Sequence, residues 1–237
     1  MDRELLERYW DVLNMSDDYL RCGAAGRHPS LEEAGFSGLK QRSARPESRE
    51  ERLAALTDIA GEVAGCTACR LCEGRNRPVP GEGVLDPAIM IIGEGPGAEE
   101  DSSGKPFVGP AGQYLDKWMQ AIKLSRENDL FIGNVVKCRP PGNRDPLPDE
   151  SAACRAYLDR QIDILKPRVI LTLGRVAMQL LLETGDGIGK RHGRRCEYRG
   201  IPLLPTYHPS GVLRNPEYRA PVWDDLKTLQ KLIGESH

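Results

Sequence analysis

The stretch AIMIIGEGPGAEEDSSGKPFVGPAGQYLD, residues 88–116, constrains this chain most. Ala88 to Ile92 is an uninterrupted apolar run. It stops at Gly93-Glu94-Gly95-Pro96-Gly97, passes an acidic cluster at Glu99, Glu100 and Asp101, and reaches Gly104-Lys105-Pro106-Phe107-Val108-Gly109. Leu115 and Trp118 then open a helical pattern. A short apolar run bounded by such breakers reads as a buried strand. It delivers its loop to the mouth of an α/β sheet, where ligands sit at the carboxyl ends of strands. Gly and Pro let the loop backbone approach a ligand closely.

The same alternation continues along the chain. Residues 130–137 (LFIGNVVK), 168–173 (RVILTL) and 201–207 (IPLLPTY) read as further strands. Helical spacing covers 48–64, 110–123, 149–165, 175–183 and 217–233. Strands alternating with helices predict a largely parallel sheet covered on both faces. Residues 70–87 read as irregular, and 189–200 as a basic loop leading into a short strand. Upstream, Leu5, Leu6, Tyr9, Trp10 and Leu13 give residues 1–22 an amphipathic helical spacing, and residues 23–50 have a linker's Gly, Ser, Arg and Pro. The expected division is an N-terminal helical and linker extension, 1–50, and one domain, 51–237.

Composition narrows the function classes. No apolar run approaches the roughly 20 residues of a membrane helix. The N-terminal MDRELLERYW is charged and has no leader-like apolar core, so the expected location is cytoplasmic. A net charge of −2 does not advertise nucleic-acid binding, but Lys190, Arg191, Arg194, Arg195 and Arg199 crowd one segment around His192. A local basic loop on a near-neutral protein can still contact phosphates. Seven cysteines, an odd number, argue against a disulfide framework and for metal ligation. Cys66 and Cys69 form a C-x2-C pair beyond a helix end, Cys138 follows a strand, and Cys154 lies in the next helix. Four thiolates suit a [4Fe–4S] cluster or a tetrahedral zinc, the wide 138/154 spacing favouring the bulkier cluster. Cys72 continues the C-x2-C run and competes as a ligand.

Three strand ends carry distinctive side chains: Glu94 with its acidic neighbours, Asn134, and His208. In a parallel sheet these ends open on one edge. A carboxylate, a carboxamide and an imidazole therefore gather there, with Phe107 nearby. A carboxamide, both donor and acceptor, reads an imide edge. Phe107 can stack on a flat ring, and His208 can stabilise an anion forming on a ring oxygen.

With these residues in view, the chain resembles the family 4, iron–sulfur branch of the uracil-DNA glycosylase superfamily. The matching stretches are CTAC (66–69), GEGPGAEED (93–101), GKPFVGPAG (104–112), NVVKCRPPGNRDP (134–146), the helix around Cys154, and YHPSGVLRN (207–215). The resemblance implies a three-layer α/β/α sandwich with a four-stranded, mostly parallel central sheet. It implies a monomer that flips uracil out of single- or double-stranded DNA in a bacterial or archaeal cytosol and excises it hydrolytically, leaving an abasic site. It implies a structural [4Fe–4S] cluster on Cys66, Cys69, Cys138 and Cys154.

Residue by residue, the resemblance has Phe107 stacking on uracil, Asn134 reading its imide face and His208 supporting the leaving anion. Gly93, Glu94 and Gly95 line the pocket. Glu100 sits on the C5 side and excludes thymine's methyl. The segment Val212 to Arg214 is the minor-groove wedge, with Leu213 filling the gap in the stack. Arg191, Arg194, Ser210 and Arg214 meet the DNA. The water-activating aspartate of another branch falls at Gly95, so Glu94 or a neighbouring carboxylate is the expected base. The alternative on the same scaffold is a non-catalytic or covalent uracil-DNA binding protein. Its nucleophilic histidine in a basic loop compares with Arg191-His192, but that segment lies late in the chain.

Overall fold

The computed structural model describes residues 48–235. The expected helix at 1–22 and almost all of the expected linker lie outside the described residues. The first helix, α1 (Arg49–Ala64), starts at a capping box. Ser48 Oγ accepts from the Glu51 N–H and the Glu51 carboxylate accepts from the Ser48 N–H, both at 3.1 Å. The short helix α2 (Leu71–Gly74) and the two-residue strand β1 (Glu82–Gly83) follow. Next come β2 (Ile89–Gly93), α3 (Ala98–Ser103), α4 (Pro110–Ala121) and β3 (Leu130–Asn134). Then come α5 (Pro148–Leu165), β4 (Val169–Leu173), α6 (Arg175–Leu182) and α7 (Ile188–Arg191). The chain continues through β5 (Cys196–Tyr198), β6 (Ile201–Thr206), α8 (Pro209–Arg214) and α9 (Arg219–Glu235).

The strands form one sheet in the order β1-β3-β2-β4-β6-β5. The four inner strands run parallel and are the four that the sequence predicts. The expected four-stranded sheet is corrected to six, because β1 and β5 add short antiparallel edges. Both are too short to carry the apolar signature that marks a strand, and β1 is also exposed. Each inner strand sends alternate side chains into two cores. Ile89, Ile91, Leu130, Ile132, Leu171 and Leu204 pack beneath α4 and α9. Met90, Ile92, Phe131, Ile170 and Leu203 face α5 and α6. Helices therefore cover both faces, and an α/β/α sandwich results.

The connections decide where a ligand can sit. From β2 the chain moves to β3 on one side, then crosses back to β4 on the other. The strand ends part at that reversal, which leaves a crevice at the carboxyl edge. Pairing carries on past the regular strands at this point: the Val135 N–H donates to Gly93 O at 3.0 Å and the Val136 N–H to Glu94 O at 3.1 Å. The loop bearing Glu94 is thus tied to the loop after Asn134.

Candidate functional site

The crevice is a cavity of about 530 Å³. Glu94 and Gly95 reach it from the end of β2, Asn134 from the end of β3 and His208 from just beyond β6, and Phe107 joins them from the loop before α4. Convergence is tightest at Gly93, which pairs with Asn134 in register. A Cβ at Gly93 would lie 2.5 Å from Asn134 Oδ1 and 2.6 Å from Phe107 Cζ, so only glycine leaves these two side chains room.

Asn134 is 1% exposed, and its Oδ1 has no hydrogen-bond partner among the described residues. Leaving such an acceptor unpaired costs roughly 1–3 kcal/mol. Its main chain is well held: the buried Lys137 ammonium donates to Asn134 O at 3.0 Å and to Gln161 Oε1 at 2.8 Å. Gln161 in turn donates to Pro80 O at 2.8 Å. The carboxamide oxygen is therefore presented, unpaired, on a rigid support.

The Phe107 ring is buried and stands 5.8 Å from the His208 ring, tilted by 35°. His208 caps α8: its Nδ1 accepts the Ser210 N–H at 3.2 Å and lies 2.8 Å from Ser210 Oγ. A backbone N–H can only donate, so Nδ1 is the acceptor and the neutral ring carries its proton on Nε2. Burial, helped by the Arg214 charge, holds the His208 pKa down to about 4, so the ring is neutral at pH 7. Glu94 is shifted the other way. Burial, with the Asp145 carboxylate adding to it and Arg175 opposing, pushes it up to about 7.

Glu100 lines the cavity with both carboxylate oxygens engaged. One accepts the Val108 and Gly109 N–H groups at 2.9 and 3.0 Å, the other the Gly97 N–H at 3.0 Å. Ser210 and Arg214 also line the cavity. Leu213 is 44% exposed beside them, whereas Val212 is fully buried. Within the expected wedge segment, Val212 belongs to the core and Leu213, the side chain expected to fill the gap, is the one that projects. Arg191 and Arg194 do not line the cavity, and Arg191 is paired with Asp186 at 2.6 Å. His192 is likewise outside it, with Nδ1 3.1 Å from Asp225 Oδ1.

Sequence reasoning missed Asn143, Arg144, Asp145 and Arg175, which all line the cavity. Arg175 pairs with Asp145, and Arg144 makes a two-pronged pair with Glu150 at 2.8 and 2.7 Å. The signal was available: the first three lie in the polar loop after β3, and Arg175 follows the Gly174 that ends β4.

The expected [4Fe–4S] cluster, and with it the metal-binding reading, is corrected. Cys66, Cys69, Cys138 and Cys154 do line one recess, with Cys72 and Arg75. That recess holds about 10 Å³, room for about one water. Among the described residues, no three His, Cys, Asp or Glu side chains converge so as to hold a metal ion. Burial raises the pKa values of Cys69 and Cys138, and that of Cys154 to about 11, so these groups stand as protonated thiols here. Cys138 Sγ accepts instead from Arg75 Nη1 at 3.1 Å. C-x2-C spacing shows which cysteines can meet, and here half-buried Cys66 and Cys69 meet buried Cys138 and Cys154 as free thiols.

Residues 80–227 match the family model described as the uracil DNA glycosylase superfamily. A type-4 uracil-DNA glycosylase of Sulfurisphaera tokodaii is 43% identical over 185 residues, covering 75% of this chain and 84% of the relative. One from Thermotoga maritima is 44% identical over 191 residues, covering 78% and 97%. A type-5 uracil-DNA glycosylase of Thermus thermophilus is 32% identical over 188 residues, covering 62% and 85%.

Proposed function

Since this chain belongs to the type-4 branch of the uracil-DNA glycosylase superfamily and removes uracil from DNA, we propose how its own residues do so. The observation that carries the reading is the buried, unpartnered Asn134 Oδ1 in a cavity shared with the Phe107 and His208 rings. Uracil presents an N–H between two carbonyls. Asn134 Oδ1 accepts N3–H and the amide nitrogen donates to O4, while Phe107 stacks on the ring. Thymine shares that imide edge and differs only by its C5 methyl. Glu100 and the loop it holds form the wall on that side.

The base must leave the stack to reach this slot. Leu213 fills the gap behind it, and Ser210, Arg214, Arg191 and Arg194 contact the DNA backbone. As the glycosidic bond breaks, negative charge grows on uracil. His208 Nε2–H donates to the O2 side of that anion. A neutral imidazole suits the role, because it donates without giving up its proton. The Glu94 carboxylate activates the attacking water. The products are uracil and an abasic site. We place the protein in the cytosol, as a monomer acting on uracil-containing DNA.

The test is a single-uracil oligonucleotide, cleaved with alkali after incubation. Many cuts per protein molecule are expected from the parent. Asn134→Ala is expected to keep the fold and lose most of them. Parental activity in Asn134→Ala would overturn the imide assignment.

A further inference from the structure

Phe107 adopts φ +53°, a left-handed conformation that a bulky L residue rarely takes. Such strain persists only where surroundings enforce it, and it clusters at functional sites. The enforcing group lies outside the cavity. Arg126, in the loop between α4 and β3, donates from Nη1 to Pro106 O at 3.0 Å and from Nη2 to Phe107 O at 2.5 Å. Its Nε donates to Asp116 Oδ1 of α4 at 2.6 Å. A planar guanidinium matches two adjacent carbonyls and a carboxylate at once, which an ammonium cannot do.

Two further contacts close the hold. Gly112 of α4 lies so near the Phe107 carbonyl that any Cβ there would collide with it, so the helix packs directly on the strained peptide. From the other side, Glu100 takes the next two N–H groups, those of Val108 and Gly109. The peptide is therefore gripped by its carbonyls on one side and by the following amides on the other.

We propose that Arg126 is a positioning residue for excision: it fixes Phe107 in the left-handed conformation that lays its ring in the uracil slot. Without it, Phe107 relaxes to negative φ and the ring swings out of the slot. The proposal rests on the reading that Phe107 stacks on uracil.

A double-mutant cycle separates the two ideas. Excision from a single-stranded uracil oligonucleotide is measured as kcat/KM for the parent, Phe107→Ala, Arg126→Met and the double variant. Thermal melting checks each fold. Arg126→Met is expected to lower kcat/KM about tenfold in the parent and less than about twofold in the Phe107→Ala background. Free uracil should inhibit Arg126→Met less tightly by a matching factor, and Arg126→Lys should fall between. An equal loss from Arg126→Met in both backgrounds would make Arg126 ordinary scaffold and overturn the proposal. Parental activity in Phe107→Ala would instead sink the stacking reading, and the purpose of the hold with it. If Arg126→Met does not fold, Asp116→Asn, which loosens the guanidinium while keeping it, runs the same cycle under the same criteria.

Discussion

The sharpest consequence of the cavity's electrostatics is a pH limb owned by Glu94. Burial moves this carboxyl from its ordinary 4.5 to about 7, with Asp145 contributing and Arg175 opposing. His208 is held down to about 4 and stays neutral from pH 5 upward. If ionised Glu94 activates water, single-turnover excision rises as pH climbs through about 7. One unit below that value, about a tenth of the maximal rate remains. Glu94→Gln removes the limb and lowers the plateau. Asp145→Asn removes a neighbouring negative charge and frees Arg175, so both effects shift the limb downward, by about one pH unit or less because burial is the larger cause.

The same shift acts on stability. A carboxyl that resists ionising in the fold makes the protein less stable as pH rises from about 4.5 through 7. Two and a half pH units correspond to about 3 kcal/mol at most, and the partial exposure of Glu94 reduces that. Glu94→Gln should therefore be more stable than the parent at pH 8 and nearly equal at pH 4. Rates over pH 5–9 and urea denaturation at the two pH values read these effects. A limb near 7 that survives Glu94→Gln would refute the reasoning, because another group would then own it.

The remaining predictions follow from named contacts. If His208 donates to the uracil anion as proposed, His208→Ala is expected to slow excision by about two to three powers of ten with an unchanged melting temperature, read in single turnover. Gly93→Ala places a methyl against Asn134 Oδ1 and Phe107 Cζ, and is expected to abolish inhibition by free uracil as well as excision. Leu213→Ala should slow excision from duplex DNA about tenfold and from single strands less than about twofold, because only a duplex has a stack to fill.

Which elements were legible follows from how much apolar surface each one buries. All residues of β2, β3 and β4 are buried, so each reads as an apolar run with a clear end. The long helices announce themselves by spacing and by Pro148 and the acidic first turn of α5. The strands β1 and β5 bury little, and α3 is the polar AEEDSS closed by Glu100 reaching back to Gly97, so none had an apolar pattern to read. At the site, Asn134 and His208 were legible because strand ends share one edge. The Asp145–Arg175 pair joins residues thirty apart, one in the loop after β3 and one at the start of α6, and spacing carries no sign of their pairing. Arg126 was hidden for a related reason: two of its partners are main-chain carbonyls, which every residue has. The cysteines show the converse error, where a suggestive spacing overstated what the folded thiols do.

The site's parts share a property that explains why they sit together. A buried carboxamide oxygen has no partner, an aromatic residue has left-handed φ, a carboxyl is too buried to ionise freely, and a histidine too buried to protonate. The first three oppose folding at neutral pH, and the histidine does so below its ordinary titration range near 6.5. They persist because the four parallel strands behind them bury apolar side chains on both faces and hold the loop ends fixed. In the proposed pose a flipped uracil relieves part of the burden directly: its N3–H would satisfy Asn134 and its ring would cover Phe107. Thymine has that same imide edge, so the hydrogen bonds that release the strain cannot reject it. On the proposed reading discrimination comes from the C5 wall, a loop that Glu100 and Arg126 leave little freedom to yield. If so, a variant that loosens this loop should gain activity on thymine mismatches relative to uracil as it loses rate.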